Sequence, residues 1–131
     1  MIVDSSAVIA VLFDEPDREK ITRAIGNDER RFMSAATLLE ASIVVEAKRG
    51  EHAGRELDLL LHRADVEIVP LDTEQSRVAT TAWRRFGKGR HPAALNFGDC
   101  FAYALSTVTG EPLLFSGTDF AKTDVAAVAL I

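Results

Sequence analysis

Met1-Ile-Val-Asp4-Ser5-Ser6-Ala7-Val8 sets the architecture at the first step. Three apolar residues, two of them β-branched, stop at an aspartate, which is the pattern of a short buried strand. Ser5 to Phe13 then carries Ala7, Val8, Ile9, Val11 and Leu12 and reads as a helix, interrupted by Pro16. A strand that passes straight into a helix is the opening unit of an α/β domain.

The rest of the chain repeats the alternation. A helix from about Asp17 to Ile25 meets a stop at Gly26-Asn27, and Arg31–Ser34 is a short strand. A helix over 35–49 closes at Gly50, and another follows over 51–64. Val66–Leu71 reads as a strand despite Pro70, and Asp72 or Thr73 caps a helix running to Phe86. Residues 87–98 form a Gly/Pro-rich loop, 98–109 a helix ending at Gly110, and Pro112–Phe115 a buried strand. Ser116–Asp119 is a turn and Val125–Ile131 a last strand. Strands alternating with helices imply a mostly parallel sheet with right-handed crossovers. In such folds ligands sit beyond the carboxyl ends of the strands, where the strand order reverses.

Composition narrows the class. The 131 residues suffice for one domain over 1–131 with its own core. A single cysteine, Cys100, excludes a disulfide scaffold and a cysteine-rich zinc site, and three scattered histidines argue against a histidine-based one. No apolar run approaches a membrane span, and Met1-Ile-Val-Asp4 lacks the marks of a signal peptide, so a cytoplasmic protein is expected. Net charge is −5, which by itself argues against a polyanion partner. That objection weakens if several carboxylates gather around a cation, because a bound divalent ion reverses the local field. Arg84, Arg85, Lys88 and Arg90 also stand in a stretch, 84–91, that holds no acid. It reads as a solvated loop or as a contact for a phosphate backbone.

Four carboxylates occupy telling places. Asp4 follows the first strand, Asp119 follows the strand at 112–115, and Asp99 lies in the first turn of the helix after Asn96. Each position also suits an ordinary N-cap, capping-box or turn aspartate. On a helical wheel of about 100° per residue, Glu40 falls among Ala36, Ile43, Val44 and Ala47, with Leu38 and Val45 opposite. A carboxylate on an apolar face needs coordination or neutralisation. Asp72 is a control: it too follows a strand, but Gln75 three residues on marks a plain capping box. Taken together, several carboxylates without soft ligands suit Mg²⁺ or Mn²⁺. The chain has no GxxxxGK[ST] loop, no GxGxxG after the first strand and no GxSxG elbow.

At these residues the chain resembles the PIN-domain ribonucleases, and within them the VapC toxins of bacterial toxin–antitoxin pairs. The likeness runs through Met1–Val8, through Ala36-Thr37-Leu38-Leu39-Glu40-Ala41, through Asn96-Phe97-Gly98-Asp99-Cys100-Phe101-Ala102-Tyr103-Ala104 and through Leu113–Phe120, followed by Thr123-Asp124-Val125. It covers essentially the whole chain. The resemblance implies a three-layer PIN-like fold whose sheet has strand order 3-2-1-4-5, so that Asp4 and Asp119 meet at the switch point with Asp99 and Glu40. It implies metal-dependent cleavage of single-stranded RNA, with tRNA among the substrates. Asp4 and Asp99 are then the primary Mg²⁺ (or Mn²⁺) ligands. Glu40 and Asp119 bind a second ion or hold its water. Ser5, Ser6, Ser116 and Thr118 support the carboxylates, and Arg84, Arg85, Lys88 and Arg90 hold flanking RNA. It also implies a VapB-type antitoxin. Surplus apolar surface, at Leu38 and Val45 and around the first helix, suggests a homodimer and an antitoxin helix that sends an arginine into the acids. The rival is an acidic Mg²⁺-binding α/β signalling or interaction module without nuclease activity. Such receiver-type sites need a second acid after the first strand, and here Asp4 stands alone.

Overall fold

The computed structural model describes residues 1–131. β1 (Ile2–Val3) ends at Asp4, whose carboxylate accepts the Ser6 N–H and starts α1 (Ser5–Leu12). α2 (Arg18–Asn27), β2 (Arg31–Ser34) and α3 (Ala35–Arg63) follow. α3 is broken at Gly50, where φ is 82° and ψ −179°, a conformation open to glycine and costly for other residues. The break thus falls where the sequence places the end of one helix and the start of the next. β3 (Val66–Val69), α4 (Thr73–Phe86), α5 (Phe97–Thr109) and β4 (Leu113–Leu114) complete the main elements, and Phe120–Lys122 is a 3₁₀ turn. No helix is long and apolar enough to cross a membrane.

All pairings are parallel, in the order β3-β2-β1-β4. The chain winds outward from β1 to β3, then returns to place β4 on the other side of β1. The switch point therefore lies between β1 and β4, where Asp4 N–H donates to Leu114 O at 3.0 Å. Side chains alternate across the sheet. Met1, Val3, Met33 and Leu114 face a core built with α1, α2 and α3. Ile2 and Leu113 face a second core, built with α4 and α5 around Leu95, Tyr103, Leu105 and Phe120.

Two expectations are corrected. The sheet has four strands, not five. Val125–Ile131 lies beside β4 but meets it only at the Leu113–Ala127 bridge, through Leu113 N–H to Ala126 O and Val128 N–H to Leu113 O. β4 offers only two residues of ladder, and the alanine-rich tail has little side-chain surface to hold a longer one. The wheel reading of α3 is also displaced. Before the break at Gly50 its buried positions are Thr37, Ala41 and Val45, and Leu38 packs beside them in the core. Leu38 and Val45 are therefore not spare apolar surface. The exposed apolar residues of this stretch are instead Leu39 (62%) and Ile43 (59%), and Ile43 is one the wheel had placed on the core face with Glu40.

Candidate active site

Asp4 is 1% exposed. Its Oδ2 accepts the Ser6 N–H at 3.0 Å and the Ser6 hydroxyl at 2.6 Å, while its Oδ1 is buried and meets no donor. An unsatisfied buried carboxylate oxygen is costly. Burial pushes the Asp4 carboxyl up to about 6 against the Ser6 hydrogen bonds, and the charge of Glu40 adds to the rise.

Asp99, also nearly buried, closes a full capping box: its Oδ2 accepts the Asn96 N–H at 3.0 Å, and Asn96 Oδ1 accepts the Asp99 N–H at 2.9 Å. The capping role is real, but it does not settle the charge. Desolvation, and then the charges of Asp4, Asp119 and Glu40, hold Asp99 up at about 7. Those three acids are thus its electrostatic neighbours, and no cation offsets them.

Glu40 is half-buried at the margin of α3, and its Oε1 accepts the Ser5 hydroxyl at 2.9 Å. Its carboxylate lies against Gly98, where a Cβ would come 1.6 Å from Oε2. Glycine before Asp99 lets α5 and α3 approach until Glu40 and Asp99 share one site. Asp119 is exposed and makes no capping bond to the 3₁₀ turn it precedes, so the structure leaves it without that local role.

The supporting residues divide their work. Ser5 holds Glu40. Ser6 holds Asp4 and, through its Oγ, accepts the Ser116 N–H at 3.0 Å, which ties the end of β4 to the start of α1. The Ser116 hydroxyl turns away to Asp17 Oδ2 at 3.1 Å. Thr118 is exposed, and its hydroxyl bonds none of the acids. Asp17 is the residue sequence reasoning passed over: it stands before α2 without capping it, and the Ser116 hydroxyl, 99 residues away in the chain, ties it to the margin of the site. The Asp72 control holds in part. Asp72 accepts the Gln75 N–H, but the Gln75 amide donates to Pro70 O rather than closing a box.

All four basic residues are exposed. Arg85 pairs with Asp124 at 3.2 Å and covers the Phe86 ring. Arg90 donates to Arg84 O and lies 4.8 Å over Trp83. Arg84 and Arg85 lie in the last turn of α4, not in a loop, and the loop after it that carries Lys88 and Arg90 is ordered by a Gly87–Leu95 bridge and an edge-on contact between His91 and Phe86. A cleft of about 560 Å³ lies elsewhere, among Met1, Asp28, Arg30 and Glu111, and is lined by none of the four acids.

No three acidic or histidine side chains converge closely enough to enclose an ion by themselves. Magnesium does not require this, since it keeps several waters and takes only one or two protein carboxylates. The bare Asp4 Oδ1, beside an Asp99 whose charge is disfavoured by its acidic neighbours, fits a hard divalent cation.

Residues 1–126 match the family model described as PIN domain. A ribonuclease VapC of Mycolicibacterium smegmatis is 56% identical over 128 residues, which cover 98% of this chain and 99% of the relative. Among solved structures, a Mycobacterium tuberculosis toxin, VapC20, described as cleaving the sarcin–ricin loop, aligns with a TM-score of 0.78 at 15% identity over 97% of both chains. A toxin–antitoxin complex from Klebsiella pneumoniae aligns with a TM-score of 0.70 at 15% identity over 97% of this chain and 95% of that one.

Proposed function

The chain belongs to the PIN-domain family, and from that premise we propose that residues 1–131 form one PIN domain whose acidic pocket holds a divalent ion for the cleavage of RNA. It is an endoribonuclease and the toxin of a toxin–antitoxin pair, as its likeness to the VapC ribonuclease over nearly the whole of both chains supports. The observation that carries the site assignment is the buried, partnerless Asp4 Oδ1 next to Asp99.

Asp4 and Asp99 are the ligands of Mg²⁺ or Mn²⁺. Glu40 and Asp119 hold water around it or share a second ion. When bound, the ion supplies hydroxide near neutral pH and neutralises charge on the attacked phosphate. Ser6 fixes Asp4 so that Oδ1 is the free oxygen, and Ser5 fixes Glu40. Because acids carry the chemistry, the chain needs no side-chain nucleophile. Lys88, Arg84 and Arg90 meet flanking phosphates of a single-stranded RNA, tRNA included; Arg85 is committed to Asp124.

The protein acts in the cytoplasm, as a homodimer restrained by a VapB-type antitoxin. The exposed Leu39 and Ile43 supply apolar surface for such partners, and an antitoxin arginine is the natural counter-ion for Asp4 and Asp99. The rival reading, a Mg²⁺-binding signalling module, lacks the second acid such a site needs. The test is incubation with total RNA, with Mg²⁺ or with chelator, and mapping of new 5′ ends. Discrete ends that require the metal are expected; their absence at every metal tried defeats the reading.

A further inference from the structure

A second cleft, about 500 Å³, opens between α4 and α5 and is lined by Thr80, Trp83, Lys88, Asn96, Phe97 and Phe101 among others. That volume lies in the range of roughly 300–1,000 Å³ typical of sites for small ligands. Its walls are aromatic. Phe97 is 81% exposed and packs edge-on against Phe101 at 4.8 Å, so a ring face is left to solvent. Trp83 is 45% exposed on the facing helix. Neither exposure helps the fold, because apolar surface in water contributes nothing to the core.

The one charged residue that lines the cleft is a cation. Lys88 lines it, Arg90 lies over the Trp83 ring, and no acidic side chain is among the lining residues. In a chain of net charge −5, an aromatic cleft whose one charged lining residue is a cation suits an aromatic ligand that carries a phosphate. It also adjoins the acids. Asn96 lines the cleft while its N–H is bonded to Asp99 Oδ2, so the first turn of α5 has the cleft on one side and the acidic pocket on the other.

We propose that this cleft is a base-binding subsite, in which an unpaired RNA base stacks on Phe97 and Trp83 while Lys88 and Arg90 meet its phosphate. The proposal deepens the nuclease reading and rests on it for the identity of the substrate. Held there, one nucleotide anchors the strand beside Asp99, and stacking accepts any base face while favouring the larger ones. The subsite thus selects unpaired over paired RNA, because a base within a helix cannot enter.

Trp83 is the one tryptophan in the chain, so its fluorescence reports directly on the cleft. The full chain is titrated with adenosine 5′-monophosphate and cytidine 5′-monophosphate, which hold no diester to cleave, and with pyrophosphate as the control without a base. Quenching by the nucleotides, strongest for adenosine, and none by pyrophosphate is expected. Phe97→Ala, at an exposed position, should fold normally by circular dichroism and weaken the quenching. It should raise KM for an unstructured RNA roughly 10-fold, the loss of one stacked base, and leave kcat nearly unchanged. Absent quenching, equal quenching by pyrophosphate, or an unchanged KM in Phe97→Ala would each overturn the subsite. So would a Phe97→Ala chain that keeps its KM but loses antitoxin binding or dimer mass, since the cleft would then be a protein interface. If the wild-type chain cleaves no RNA while nucleotides still quench Trp83, the nuclease reading fails and the subsite stands.

Discussion

One turn of α5 separates Asp99 from Tyr103, and each side chain meets carboxylate chemistry of an opposite kind. Tyr103 donates its hydroxyl to Asp124 at 2.5 Å, and Arg85 pairs with the same carboxylate at 3.2 Å. That hydrogen bond, with Arg85 adding to it, holds Asp124 below the usual carboxylate range. Asp99 has only the Asn96 N–H as a donor against burial and three acids, and it is pushed up to about 7. A partnered acid is finished by the fold. An acid crowded by its own kind costs stability in the bare protein and gains a partner only when a cation binds.

The contrast breaks first on conservative amides. Asp4→Asn or Asp99→Asn should reduce RNA cleavage by roughly 1,000-fold or more, the several kcal/mol of charge stabilisation a hard ion supplies. The circular dichroism spectrum should be unchanged, since an asparagine at 99 still accepts the Asn96 N–H. Asp124→Asn should leave cleavage within about two-fold and cost about 1 kcal/mol of stability or less, as for one exposed hydrogen-bonded pair. Full activity in either of the first two, or a dead Asp124→Asn enzyme, would reverse the assignment of the two acids.

Metal addition gives the next largest effect. At about 100 times its Kd, Mg²⁺ should stabilise the native chain by about 2.7 kcal/mol, read as a rise in Tm. Asp124→Asn should retain the rise and Asp99→Asn should lose most of it. An equal rise in both variants would put the ion elsewhere.

A smaller effect appears in pH. Asp4 at about 6 and Asp99 at about 7 stand above their unfolded values, so between pH 4 and 7 the native chain binds more protons than the unfolded one. Metal-free stability should therefore fall as pH rises from about 5 to about 7.5, a slope that shrinks in Asp4→Asn and Asp99→Asn. Asp124 acts with the opposite sign and lower down: its contribution is lost as pH falls through its depressed value. Denaturant titrations at several pH values measure both slopes, and a metal-free chain that gains stability from pH 5 to 7.5 would contradict the crowding of the acids.

The smallest change is at Glu40. Glu40→Gln keeps an acceptor for Ser5 and removes a charge felt by both Asp4 and Asp99. A slight rise in Tm without metal, a weaker response to Mg²⁺ and a partial loss of cleavage are expected. Unchanged melting and unchanged activity would detach Glu40 from the site.

The sequence by itself determined what is local. The stop of β1 at Asp4, the caps at Asp72 and Asn96, and the helix break at Gly50 are written in neighbouring residues, because strand alternation, capping and left-handed turns each depend on a few consecutive side chains. The order of the acids after strands and within helices was legible for the same reason, and so was the family likeness those segments carry. Tertiary structure decided what lies across the chain. It brought β4 beside β1, so that Asp4, Glu40, Asp99 and Asp119 act on one another, and it used Gly98 to admit Glu40. It rotated α3 so that Thr37, Ala41 and Val45 face the core, because the sheet and α1 fix which side is covered and a wheel of mixed apolar positions does not. It assigned Ser5 to Glu40, Ser6 to Asp4 and Ser116 to Asp17, choices that depend on which backbone passes nearest. It also left Val125–Ile131 with one bridge instead of a strand, since a ladder needs a partner of matching length and β4 has only two residues to offer.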